Sequence, residues 1–194
     1  PNFPELVVEL VNEGALSEER VNYACSKILE AKFKLGLFEN RFVDEDDISE
    51  KIFNQQHTET ALKLARQGIV LLKNNDVLPL TSPKNSKNKI LVTGPNANNQ
   101  SILGDWHSAQ PDENVYTVFE GIKKIGTEMG YLVDYHDSNE NIKKISEKDI
   151  NKTIEIAYEY DLVVLVVGDN SMRYKWNQKT AGENTARAEL NLAG

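Results

Sequence analysis

The chain has 194 residues, 40% of them hydrophobic and 27% charged, and a formal net charge of −8. Such a composition is that of a globular protein with room for one ordinary domain, or one domain and pieces of another. The acidic balance argues against nucleic acid or an anionic membrane as the main partner, since both need clustered Lys and Arg, and no apolar run is long enough to span a bilayer.

Two helices are predicted over the first 38 residues. Leu6, Val7, Leu10 and Val11 recur at helical spacing after Pro4, and Gly14 stands where a left-handed C-terminal cap is wanted. A second helix starts at Ser17, with Glu18 and Glu19 favourable to its N-terminal dipole; Val21, Cys25, Ile28 and Leu35 form its apolar stripe and Gly36 ends it. Cys25, the only cysteine, is read as a small buried apolar residue, and its being alone rules out an internal disulfide or a cysteine-rich metal site. Residues 39–50 are polar and acidic and read as a linker. A helix follows to about Gln67, with Ile52, Ala61, Leu62 and Ala65 apolar, and Gly68 stops it. Residues 69–72 are an apolar run, Leu78-Pro79-Leu80 is a short extended contact, and the polar stretch 81–87 is a solvated loop.

From residue 89 onward strands and helices alternate. Residues 90–92 make a buried strand. Thr117 and Glu120 form a capping box that opens a helix running to about Met129, closed by Gly130. Residues 131–135 are a strand, 150–158 a helix, and the continuous Val/Leu run 162–167 reads as a central parallel strand buried on both faces. This alternation predicts an α/β fold with a parallel-rich sheet between helical layers, and the sheet is expected to be incomplete.

Two loops at the carboxyl ends of strands are candidates for chemistry, because ligands of open α/β sheets bind there. The first, residues 93–99, lacks both the G-x-G-x-x-G glycines and a P-loop lysine, so it reads as a polar turn in which Asn96 and Asn98 bond nearby backbone. The second, residues 168–187, carries Asp169, Glu183, the aromatics Tyr174 and Trp176, and the cations Arg173, Lys175, Lys179 and Arg187. Carboxylates beside aromatic rings suit sugar chemistry. The histidines His57, His107 and His136 do not converge in the sequence, so no metal site is expected, and no G-x-S-x-G elbow is present.

The order of segments resembles a known family. Residues 13–29 followed by Lys32-Phe33-Lys34-Leu35-Gly36-Leu37-Phe38 resemble the end of the catalytic barrel in glycoside hydrolase family 3. Residues 61–74 with Leu78-Pro79-Leu80 resemble its linker, and residues 92–97 with Gly104-Asp105-Trp106 the opening of its second domain. Residues 162–168 and Gly182-Glu183-Asn184-Thr185-Ala186-Arg187 are similar to the strand and loop that deliver the family's acid/base.

The resemblance implies terminal helices of a (β/α)8-like barrel over residues 1–38, a linker and helix over 39–88, and an α/β sandwich domain over 89–194. It implies a retaining β-glycosidase, β-glucosidase-like, acting by double displacement on an oligosaccharide or β-glycoside substrate. Such chemistry needs two carboxyl groups roughly 5 to 5.5 Å apart. Glu183 matches the acid/base; no segment matches the nucleophile, which is expected on a barrel domain of the same protein outside this chain. Trp106, Trp176, Asp169 and Arg187 are the implied substrate-binding residues. No cofactor is implied, and a periplasmic or secreted location is favoured for the parent enzyme. Asp169 stands where many relatives have Glu, Gly68 where many have Ser, and Ala193-Gly194 where Pro-Gly is common, which leaves the sugar open. The competing reading is a non-catalytic α/β binding module for carbohydrate or nucleotide.

Overall fold

The computed structural model of the chain describes residues 2–81, 88–185 and 187–191, without the side chain of Ser49. Most of the polar stretch expected at 81–87, and the Ala193-Gly194 pair, lie outside the described residues. The chain divides into two compact units, Pro1–Asn74 and Asn75–Gly194.

The first unit is helical: α1 (Phe3–Asn12), α2 (Glu18–Lys34), the single turn α3 (Ile48–Lys51) and α4 (Gln55–Gly68). Local signals set these boundaries. The Ser17 hydroxyl accepts from the Arg20 N–H at 3.2 Å, Glu18 and Glu19 fill the first turn of α2, and Lys32 and Lys34 its last, each charge matched to the nearer end of the helix dipole. Gly14 and Gly36 take positive φ (73° and 66°) after α1 and α2. The helix expected to include Ile52 is interrupted: Ile52 is extended, Phe53 has φ 54°, and the Asn54 side chain accepts from the His57 N–H at 2.9 Å to start α4 afresh. Asn is a weak helix former in a helix interior and a favoured N-cap, and here its side chain takes up an N–H that the fresh start of α4 leaves without an intrahelical carbonyl. No described residue of this unit is buried. Cys25 is exposed, contrary to the expectation, and Ile28 on the same stripe is 61% exposed. Phe3, Val7, Leu16, Val21, Cys25 and Ile28 instead line an open apolar groove, because α1 flanks the stripe and does not cover it.

The second unit contains β1 (Lys89–Thr93), α5 (Val118–Glu128), β2 (Leu132–His136), α6 (Glu147–Ala157) and β3 (Leu162–Leu165). The three strands form one parallel sheet in the order β2-β1-β3, with Ile90 opposite both Val133 and Leu162. Flanked on both edges, β1 is the core: Ile90, Leu91 and Val92 are 1%, 0% and 0% exposed. Phe119 and Ile122 of α5 pack on the face that carries Ile90, Val92, Val133, Leu162 and Val164. Ile150 and Ile154 of α6 share an apolar concavity with Leu165 and Val167, whose side chains alternate to the other face of β3. Helices therefore lie on both faces of the sheet, as an α/β fold requires.

Two expectations for this unit need correction. The helix predicted from 150 begins at Glu147, because Ser146 and Asp149 form a second capping box, with Ser146 N–H to Asp149 Oδ2 at 2.9 Å and Asp149 N–H to Ser146 Oγ at 3.3 Å. Of the run 162–167, only Leu162–Leu165 forms the strand, and beyond β1 it meets no second strand among the described residues. Val163, Leu165 and Val167 are 42%, 60% and 46% exposed on the side of the concavity. A continuous apolar run specifies a strand with potential for two-sided burial; its place in the sheet depends on which strands flank it.

Two glycines give opposite expectations. A Cβ on Gly94 would lie 2.3 Å from the Val166 carbonyl oxygen, and its φ is 107°. Gly121 is helical, with nothing within 4 Å of the same atom. Gly94→Ala is expected to destabilise the protein by about 2 kcal/mol or more, and Gly121→Ala to stabilise it by about 0.5–1 kcal/mol; denaturant unfolding of both variants checks the pair. Thr117→Ala, which removes the acceptor of the Glu120 N–H, is expected to cost about 1 kcal/mol in the same measurement.

Candidate active site

Because β1 and β3 are parallel neighbours, the loops that leave their carboxyl ends start side by side. Gly94, lacking a side chain, lets the exit of β1 touch the backbone at Val166, whose N–H donates to Thr93 O at 2.8 Å. The Asn96 amide donates to the carbonyls of Gly168 (3.2 Å) and Asp169 (3.4 Å). Asn98 Oδ1 accepts from the Thr117 hydroxyl at 2.9 Å. The residues expected to bond nearby backbone in a simple turn thus reach across to distant segments.

The loop after β3 is held by a polar clasp. Asn170, 1% exposed, donates its N–H to Thr180 Oγ1 at 2.8 Å and accepts from the Thr180 N–H at 2.7 Å, while its side-chain oxygen accepts from the Met172 N–H at 2.9 Å. Met172 is fully buried beneath it. A long loop closed at its neck and packed on its own side chains holds one shape with only a kinked 3-10 stretch, Arg173–Gln178, as regular structure. Lys175 pairs with Glu140 at 2.8 Å and Lys143 donates to Asn177 O at 3.2 Å, tying the same loop to the segment after β2.

Glu183 follows in a turn in which Gly182 and Asn184 have positive φ (92° and 60°) and the Thr185 N–H donates to Gly182 O at 3.0 Å. Asp105, from the loop after β1, reaches this turn. Its Oδ2 accepts from the Glu183 N–H at 2.8 Å and its Oδ1 from Lys179 Nζ at 3.0 Å; Lys179 Nζ also donates to Glu183 O at 3.1 Å. The Glu183 N–H, and then the Lys179 ammonium, hold the Asp105 carboxyl below the usual carboxylate range. The Glu183 side chain forms an ion pair with Arg173, whose guanidinium lies 4.0 Å from the Trp106 ring centroid and 5.9 Å from that of Trp176. Both rings face solvent, at 79% and 48% exposure. The result is an exposed carboxylate on a fixed backbone, beside two aromatic surfaces and a cation.

The residues named from the sequence fall into two groups. Glu183, Trp106 and Trp176 are brought together through Arg173 and Lys179. Asp169 and Arg187 form an ion pair with each other, and Arg187 also donates to Asn191 O and Oδ1, at 2.5 and 2.7 Å. Asp105 stood in the sequence only within the Gly104-Asp105-Trp106 match and Lys179 only as one cation of the second loop, neither with a role. Their contacts join positions 74 and 78 residues apart, and a lysine between Gln178 and Thr180 reads as solvated. His107 lies edge-on to Tyr174, with ring centroids 5.5 Å apart. Among the described residues no group of three or more His, Cys, Asp or Glu could hold a metal ion. The apolar concavity of about 400 Å³ between α6 and β3 does not include Glu183 or either tryptophan in its lining.

Comparison with known proteins places this arrangement. Residues 69–194 match the model of the glycosyl hydrolase family 3 C-terminal domain. The chain is 28% identical to the lysosomal beta glucosidase of Dictyostelium discoideum over 87% of its length and 22% of that protein. It is 33% identical to a beta-xylosidase of Formosa agariphila over 90% of its length and 23% of that protein. Among solved structures it is similar to the beta-glucosidase of Listeria innocua in complex with gluconolactone, with a TM-score of 0.77 and 26% identity over 96% of this chain and 24% of that one. The chain thus spans less than a quarter of each of these three relatives. With the family model matched over well over half of its residues, the chain belongs to glycosyl hydrolase family 3, and residues 69–194 correspond to that family's C-terminal domain.

Proposed function

We propose that this chain is the portion of a retaining β-glycosidase that supplies the acid/base, Glu183, to a reaction whose nucleophile belongs to a barrel domain of the same protein. The substrate is a terminal β-linked sugar, in keeping with relatives named as beta-glucosidase and beta-xylosidase. The observation that carries the reading is the geometry of Glu183: a half-exposed carboxylate on a loop fixed at the carboxyl end of the sheet, beside exposed Trp106 and Trp176. A carboxyl group so placed can approach a substrate bound on a facing surface while its backbone stays fixed.

In the proposed cycle Glu183 first donates its proton to the glycosidic oxygen as the leaving group departs and the nucleophile's carboxylate bonds to the anomeric carbon. The Glu183 carboxylate then takes a proton from water, which attacks the same carbon and releases the nucleophile. Trp106 and Trp176 offer ring faces to the leaving sugar. For Asp169 and Arg187, their mutual ion pair supports a role in holding the start and end of the loop.

Proton donation matters most when the leaving group is a poor one. In the full-length protein, Glu183→Ala is expected to slow hydrolysis of disaccharides by roughly 10²- to 10⁴-fold, and to slow glycosides of acidic phenols far less. Added azide, which attacks without needing a base, is expected to speed breakdown of the glycosyl-enzyme. Steady-state kinetics on both substrates check this, and equal loss on both without azide rescue would remove Glu183 from the mechanism. Residues 1–194 expressed alone are expected not to hydrolyse aryl β-glucosides, since an acid without a nucleophile forms no glycosyl-enzyme. Turnover by the pure chain that Glu183→Ala abolishes would overturn that.

A further inference from the structure

Lys179 is 1% exposed, in a loop whose other cations, Arg173, Lys175 and Arg187, keep between 22% and 31% of their side chains in solvent. Burying an ammonium is costly unless its hydrogen bonds are satisfied, and a packing role alone would be met by an apolar side chain of similar length. Here the ammonium reaches two acceptors, Asp105 Oδ1 at 3.0 Å and Glu183 O at 3.1 Å, under the ring of Trp176, whose centroid is 4.5 Å away. The second oxygen of Asp105 accepts the Glu183 N–H at 2.8 Å. Both backbone polar groups of one residue are therefore held by one ion pair, the N–H by Asp105 and the carbonyl by Lys179.

We infer that Asp105 and Lys179 are positioning residues for the carboxylate of Glu183, an ion pair of a buried ammonium and a partly buried carboxylate that fixes the backbone on either side of its Cα and leaves only its side-chain torsions free. The inference rests on the acid/base reading of Glu183. Three further observations fit it. A Cβ on Gly182 would lie 2.4 Å from Asp105 Oδ2, so only glycine leaves the carboxylate room to reach the next N–H. The turn itself needs positive φ at Gly182 and Asn184, a conformation that costs energy at Asn184 and so needs an outside hold. Trp106, next to Asp105, carries Arg173 on its ring, and Arg173 pairs with the Glu183 side chain. The dipeptide Asp105-Trp106 thus addresses the backbone of Glu183 through one residue and its side chain through the other. A carboxyl displaced by about 1 Å loses on the order of 10²-fold in rate, so such a hold bears directly on the proton-transfer step.

The test uses the full-length protein and the variants Asp105→Asn, Lys179→Met, Asp105→Asn/Lys179→Met and, for reference, Glu183→Ala. Each is assayed on 2,4-dinitrophenyl and 4-methylphenyl β-glucosides and β-xylosides, with and without azide. Lys179→Met and the double variant are expected to lose about 10²-fold in kcat on the 4-methylphenyl glycosides. Asp105→Asn, which keeps an acceptor for the Glu183 N–H, is expected to lose about tenfold. All three should keep most of their kcat/KM on the dinitrophenyl glycosides, with KM lowered as the glycosyl-enzyme accumulates, and azide should raise kcat there as it does for Glu183→Ala. Equal loss on both leaving groups would make the pair a merely structural feature and overturn the inference, as would wild-type kinetics on both. If Lys179→Met and the double variant fail to fold, the part-exposed, near-isosteric Asp105→Asn decides by the same criteria. If Glu183→Ala depends on the leaving group and the pair's variants do not, the positioning role alone falls. If Glu183→Ala shows no such dependence, the acid/base reading and the inference fall together.

Discussion

Much of what this chain can do depends on the contact between Gly94 and the backbone at Val166. There the central strand leaves the sheet against its neighbour, closer than any side chain would permit. The pairing of β1 with β3 brings together two loops that begin some 70 residues apart, and the Asn96 amide bonds the second loop's first carbonyls. The hold on the Glu183 N–H follows from that proximity. Asp105 departs from the first loop, Lys179 and Glu183 belong to the second, and no contact within either loop alone could bring Asp105 to them.

The electrostatics at this end of the sheet separate into two tasks. Buried or partly buried pairs fix the backbone: Lys179 with Asp105, and Asn170 with Thr180 at the neck of the loop. More exposed pairs, Arg173 with Glu183 and Arg187 with Asp169, involve side chains that solvent still reaches. Coulomb attraction in the wet pairs is screened and contributes little to stability, whereas a buried ammonium without its carboxylate would be costly. A rigid backbone under a solvent-accessible carboxylate is the combination that the acid/base role proposed for Glu183 requires.

The first unit illustrates a different balance. Its helices are well specified locally, by the Ser17 and Asn54 caps, by charges matched to the dipole and by the glycines after α1 and α2. Yet none of its described residues is buried, and the stripe of Val21, Cys25 and Ile28 lies along an open groove. Capping and dipole terms contribute tenths to about one kcal/mol each, enough to choose helix ends but not to make an apolar face disappear from water. Amphipathic pattern gives the direction in which a helix must bury itself; it does not supply the surface that covers it.

What the residues alone determined is what local physics controls. Helix starts at Ser17 and Thr117 and the strand at 90–92 each depend on a few consecutive residues and, with the α/β alternation, could be read directly, whereas Glu183 stood out only through the family resemblance of its Gly-Glu pattern. The capping box at Ser146 was equally local and could have been found by the same rule that found Thr117. Tertiary structure decided the rest. Whether the run 162–167 lies at the centre or the edge of the sheet depends on its neighbours, and whether Cys25 is covered depends on what packs against its helix. That Asp105 and Lys179, ordinary charged residues in their own segments, meet at Glu183 depends on parallel strand pairing across more than 70 residues. A hydrogen bond of that span leaves no periodicity in the chain, because the energy that selects it is realised only once the two loops are already side by side.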